Sequence, residues 1–182
     1  IGPKLKKIYA QLTCDYFISK GHIHGGADRS NAGLVMLDRY TRFKRVYPQG
    51  TRNTNETKQS FMQFTGNAKP GRIYFDNAPE FIESAKSLNW LYDTSTQGRS
   101  ETSGVAEREV QDTRQGTTTS LLQAGFFPEH WPICSEHYCM ADNISEKPDG
   151  LIPWNEFHGQ GEFTGLRIPF GQKVHFRPSD DQ

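Results

Sequence analysis

Polar and apolar residues alternate along positions 11–18, which puts Leu12, Cys14, Tyr16 and Ile18 on one face and Thr13, Asp15 and Phe17 on the other. This spacing predicts a half-buried strand with a carboxylate in its middle. A Gly-rich polar loop follows over 20–31, containing His22, His24 and Gly25-Gly26. Apolar runs at 33–38 and 42–47 predict two more strands, and the short link between them suits a hairpin. Residues 51–65 read as a helix capped by Asn53 or Thr54, with Phe61, Met62 and Phe64 as its apolar stripe. Pro70-Gly71 interrupts the chain before a short strand at 72–75, which delivers Asp76 at its end. A helix over 78–88, capped by Asn77 or Asp76, turns Phe81, Ala85 and Leu88 inward. Trp90-Leu91-Tyr92 forms a fifth strand, and the polar stretch 94–103 reads as a mobile loop.

Helices are predicted over 104–124 and 128–145, the second with Pro128 at its first position. Gly116 and the three threonines after it each cost roughly 0.5–1 kcal/mol relative to Ala, which predicts fraying or a kink there. From residue 146 the composition shifts to Gly and Pro, and 166–168 and 173–176 look strand-like. The order, three antiparallel strands and then strands alternating with helices, specifies an α/β fold: a mixed five-stranded sheet flanked by helices.

Three acids occupy informative places in this scheme. Asp15 lies on a strand that should be central, Asp76 closes another strand, and Glu107 begins a helix after a polar loop. Such positions can converge at one edge of a sheet. Clustered carboxylates repel each other unless cations or protons intervene. Hard divalent cations favour oxygen ligands, and a pair roughly 3.5–4 Å apart can serve both the attacking and the leaving oxygen of a phosphodiester. The bland alternative is that Asp76 is a helix cap and Glu107 merely complements a helix dipole.

At the same residues the chain resembles the catalytic cores of retrotransposon and retroviral integrases, the Asp-Asp-Glu polynucleotidyl transferases of RNase H-like fold, and most of all the copia-type Pol polyprotein. Leu12-Thr13-Cys14-Asp15 is similar to the strand that holds the family's first Asp. Residues 34–43, LVMLDRYTRF, are similar to its "FIDDYSRF" hairpin. Phe75-Asp76-Asn77-Ala78-Pro79-Glu80-Phe81 is similar to "SDNGPEF", and Gly104-Val105-Ala106-Glu107-Arg108 to "NGVAER". Sixty residues separate Asp15 from Asp76 and thirty separate Asp76 from Glu107, the second interval being several residues shorter than is usual in the family.

The resemblance implies an integrase core over 1–145, then a linker and the start of a small SH3-like β segment over 146–182. It implies 3′-end cleavage of DNA and strand transfer into target DNA, with Asp15, Asp76 and Glu107 as catalytic residues and ligands of two Mg²⁺ or Mn²⁺ ions. Arg108, Gln111, Arg114 and Asn77 are the candidate DNA contacts, Gln111 and Arg114 continuing the Glu107 stripe. Element ends and target DNA are the implied partners, self-association is expected, and action on DNA implies the nucleus. Two other readings stay open: a degenerate copy that binds DNA without catalysis, and an RNase H-like nuclease.

Composition modifies this picture modestly. The 182 residues are 34% hydrophobic and the mean hydropathy is −0.74, which predicts a thin core. The chain opens with Ile1 and reads as a piece of something longer. Net charge is zero, but residues 1–50 hold nine Lys/Arg against three Asp, a basic third suited to phosphate contact or simply to solvent. No apolar run reaches the ~18 residues of a membrane helix. Cys14, Cys134 and Cys139 form no disulfide framework, consistent with a reducing intracellular setting. His130, Cys134, His137 and Cys139 invite a zinc reading, but 139 falls off the helical face shared by the other three, so a packed helix seam is expected.

Overall fold

The computed structural model describes residues 7–18, 25–94, 100–159 and 161–175. Five strands form one sheet: β1 (Leu12–Ile18), β2 (Ala32–Asp38), β3 (Lys44–Gln49), β4 (Ile73–Phe75) and β5 (Tyr92–Thr94). They lie in the order β3-β2-β1-β4-β5. The first three pair antiparallel, whereas β4 runs parallel to β1 and β5 parallel to β4. This is the expected mixed sheet, with β1 at its centre.

Both faces of β1 are covered. Leu12, Cys14 and Tyr16 join the larger core with α1 (Thr54–Thr65) and α2 (Pro79–Ser87), built on Phe61, Phe75, Phe81 and Trp90. Phe17 belongs to the second core, with Val110 and Leu121 of α3 (Ser100–Ala124) and Trp131 and Cys134 of α4 (Trp131–Asn143). Asp15 therefore points to the α3 side of the sheet, because residues two apart on a strand share a face.

Local chemistry fixes the turns around this frame. Asp38 is fully buried at the β2–β3 hairpin, and its Oδ1 accepts the Tyr40 and Thr41 amides, both at 2.9 Å. Asn53 caps α1 by accepting the Glu56 amide at 2.8 Å. The Glu56 carboxylate in turn receives the Thr51 amide and hydroxyl and the Asn53 side-chain amide, a reciprocal arrangement of the capping-box kind.

Several expectations are corrected. β5 begins two residues later than Trp90, because Trp90 stacks on Phe61 at 5.4 Å and its amide bonds to Ala85 at the end of α2. α3 starts at Ser100, before the expected Gly104, and runs unbroken through Gly116. A Cβ at Gly116 would strike the Tyr138 ring of α4, so this glycine permits close helix packing and marks no kink. Thr117 and Thr118 return their hydroxyls to the carbonyls of Thr113 and Arg114. Pro128–His130 is a 3-10 turn ahead of α4. Residues 166–168 and 173–175 form no strand. Within 146–159 a further helix, α5 (Pro153–His158), instead lays Phe157 on Phe43 at 4.0 Å between ring centroids. Lys4, Lys6, Lys20, His22, His24 and Phe176 lie outside the described residues.

Candidate active site

Strand register brings the first two acids together. Leu12 pairs with Ile73 and Thr13 with Tyr74 in the parallel β1–β4 ladder. The ladder closes at Thr13 and Tyr74, so Asp15 lies two residues beyond it on β1 and Asp76 just past the end of the adjacent strand β4. Asp15 is half-buried and exposed Asp76 follows the end of β4. Each has one oxygen engaged: Asp15 Oδ1 accepts the Tyr16 amide at 2.7 Å, and Asp76 Oδ1 accepts the Ala78 amide at 3.3 Å. That second bond is the only side-chain help at the start of α2, where Ala78 occupies the cap position and Asn77 makes no capping bond among the described residues.

Glu107 comes from α3, which packs on β1, β2 and β4, and its side chain is exposed. Burial raises the Asp15 carboxyl to about 6; the Tyr16 amide pulls it down, and the charges of Asp76 and then Glu107 push it up. Burial, with the Asp15 and Asp76 charges added, also raises the Cys14 thiol well above its usual value. The three acids thus share one electrostatic neighbourhood. Among the described residues no three His, Cys, Asp or Glu side chains close tightly enough to enclose an ion, as expected of like charges of which two stand in solvent.

The oxygen-only donor set nevertheless fits a hard divalent cation. Among the described residues, the second oxygens of Asp15 and Asp76 and both oxygens of Glu107 receive no protein hydrogen bond.

Glu109 faces elsewhere. It lies about 200° round the helix from Glu107 and pairs with the buried Lys44 at 3.3 Å. Arg108, Gln111 and Arg114 are exposed, and the last two line a polar surface groove of about 570 Å³ with Gln115, Thr118 and Thr119. Sequence reasoning missed Arg52, whose charge reaches Asp15 from the loop before α1; nothing in its spacing marks it. Part of the basic first third is committed internally, since Lys44 is buried among acids and Arg42 pairs with Asp149 at 2.7 Å.

The zinc reading fails on geometry. Cys134 and Cys139 are buried in the α3–α4 seam, His137 Nε2 meets the Ile168 carbonyl at 2.9 Å, and His130 packs on Phe126. All three cysteines are free thiols. No described helix is long and apolar enough to cross a membrane.

No protein-family profile matches the chain, and no curated protein matches it in sequence. Solved structures do match. The catalytic core domain of HTLV-2 integrase, determined in complex with magnesium in a trimeric form, aligns with a TM-score of 0.61 at 18% identity, covering 82% of this chain and 97% of that one. The catalytic core domain of BIV integrase aligns with a TM-score of 0.62 at 12% identity, covering 83% and 95%. The chain has the mixed α/β, RNase H-like fold of these integrase cores.

Proposed function

We propose that this chain is the core of a DNA integrase that trims 3′ ends and joins them to target DNA, using Asp15, Asp76 and Glu107 as ligands of two Mg²⁺ or Mn²⁺ ions. The observation that supports the reading is that Asp15 on β1 and Asp76 just past the adjacent β4 lie beyond the paired part of these strands, and that both Asp76 and Glu107 bear electrostatically on Asp15. The magnesium named for the HTLV-2 core fits the same oxygen-rich donor set.

When bound, such ions supply charge stabilisation at the phosphodiester. The protein's own part is positioning. Asp15 is held on a rigid central strand by its neighbour's amide, and Asp76 is steadied by the Ala78 amide. Glu107 sits on a helix that is anchored elsewhere on its surface through Glu109 and Asp112 on Lys44. In cutting, water displaces the 3′ oxygen of the scissile bond and leaves a free 3′-hydroxyl. In joining, that hydroxyl attacks a target phosphodiester and releases a target 3′-hydroxyl. Arg108, Gln111, Arg114 and Asn77 are all exposed, on the α3 surface or beside Asp76, and serve as DNA contacts.

Self-association is part of this reading. Leu122 and Phe127 are 76% and 71% exposed beside an apolar cavity of about 280 Å³ lined by Phe17, Leu121 and Trp131. A DNA substrate implies action in the nucleus as part of the same proposal. The test is metal-dependent cutting and joining of a branched DNA substrate, with an RNA–DNA hybrid in parallel. Joining supports the integrase reading. Hybrid cleavage without joining would replace it with a nuclease, and DNA binding without metal binding would replace it with a non-catalytic fragment.

A further inference from the structure

Arg52 precedes the Asn53 cap of α1, on a loop that the Glu56 carboxylate ties down through Thr51 and Asn53. Its guanidinium carbon stands 5.9 Å from the centre of the Tyr16 ring, and Tyr16 is the residue after Asp15. That ring is an unusually fixed platform. It stacks on Phe81 at 4.9 Å, and its hydroxyl is held at 2.8 Å by both Gln49 and Thr57. Gln49 is in turn fixed by Ser60 at 2.8 Å.

Arg52 is exposed and forms no ion pair among the described residues; Glu56, the acid in the first turn of α1, is committed to Thr51 and Asn53. A guanidinium held over an aromatic face keeps its planar fork of donors open, the geometry that suits a phosphate. Tyr16 directly follows Asp15 on β1, so the guanidinium stands beside the strand segment that carries the first acid.

We propose that Arg52 binds a non-bridging phosphate oxygen of the DNA strand lying across Asp15, with the pinned Tyr16 ring as its support. This inference rests on the DNA-integrase reading above and adds a substrate contact to it.

The test is equilibrium binding of the chain to labelled mixed-sequence duplex DNA in Ca²⁺, at several salt concentrations, for the parent, Arg52→Gln and Arg52→Lys. Removing one phosphate contact should weaken binding about fivefold to tenfold and flatten the salt dependence by about one counterion. Arg52→Lys should retain the parent's slope while losing part of the affinity, because the charge remains and the fork does not. Thermal unfolding should be unchanged in both, since the side chain is exposed. A parent that binds DNA and an Arg52→Gln variant with equal affinity and equal slope would overturn the Arg52 assignment and leave the integrase reading standing. A parent that does not bind DNA at all would overturn both.

Discussion

Lys44 Nζ lies 3.0 Å from Asp142 Oδ2, with the lysine side chain only 2% exposed between α3 and α4. Glu109 and Asp112 approach the same ammonium from α3, and the Tyr138 hydroxyl donates to Asp112 at 3.0 Å. Asn143 clamps the Lys44 backbone, accepting its amide at 3.0 Å and donating to its carbonyl at 2.8 Å. One buried cation thus joins β3, α3 and α4, and it sets the rotation of the helix that carries Glu107. Burial opposes the Lys44 charge, but Asp142, Glu109 and Asp112 raise its pKa.

Lys44→Met should therefore destabilise the fold by about 2–4 kcal/mol, below the full cost of stranding buried charges because the carboxylates keep some solvent. Denaturant unfolding measures it. Burial works against the Asp142 carboxylate as well, yet Lys44 and Lys147 hold it below its usual range. Its contribution is present above the unfolded-state pKa and is lost as pH falls through the lower folded value, so the penalty of Lys44→Met should shrink in acid. A loss near zero at neutral pH would mean that this junction does not hold α3.

Asp15 has the opposite sign. Its folded pKa of about 6 exceeds the ordinary value of 3.8, so its charge strains the native state above pH 6, and the strain disappears below the unfolded pKa. Asp15→Asn should stabilise the metal-free chain by about 1–2 kcal/mol at pH 7, after discounting for partial exposure, and by nearly nothing at about pH 4. Added Mg²⁺ should raise the melting temperature of the parent and leave the variant unmoved. Melting curves at the two pH values decide it, and a variant less stable at pH 7 would contradict the shared-charge account.

Gly116→Ala separates helix propensity from packing. Propensity alone would stabilise α3 by about 1 kcal/mol. The Tyr138 ring occupies the space a Cβ needs, so the substitution should instead cost about 1–3 kcal/mol. Adding Tyr138→Ala should remove the clash and reverse much of the added penalty of Gly116→Ala, as a double-mutant cycle would show. Stabilisation by Gly116→Ala alone would restore the reading of this stretch as a weak point.

The alternation around Asp15 and the breaks at Pro70-Gly71 and Pro128 made most of the fold legible in the sequence, because burial on a sheet and the loss of a backbone donor are local signals. Helical phase lets only one of Glu107 and Glu109 face the other acids, the resemblance of 104–108 to "NGVAER" favours Glu107, and Glu109 is engaged by Lys44 instead. Lys44 itself was not legible: within Arg42-Phe43-Lys44-Arg45 it looks like one more surface base, and its partners lie far along the chain. Gly116 carried the wrong meaning for the same reason, since Tyr138 belongs to another helix. α5 was hidden in a Gly- and Pro-rich stretch, where Trp154 and Phe157 acquire a helix only by docking on Phe43 and Tyr9. Arg52 depends on the fixed Tyr16 ring, a tertiary feature with no spacing of its own.

The most direct test is cutting and joining of a branched DNA substrate in Mg²⁺ or Mn²⁺ by the parent, Asp15→Asn, Asp76→Asn, Glu107→Gln and Glu109→Gln. The parent should be active, and the first three variants should each lose activity by about a thousandfold or more, the scale on which residues acting as one unit fail together. Glu109→Gln should retain strand joining, since its carboxylate belongs to the Lys44 junction. A parent without metal-dependent activity, or a Glu107→Gln variant that still joins strands while Glu109→Gln does not, would contradict the assignment of Asp15, Asp76 and Glu107 as the site.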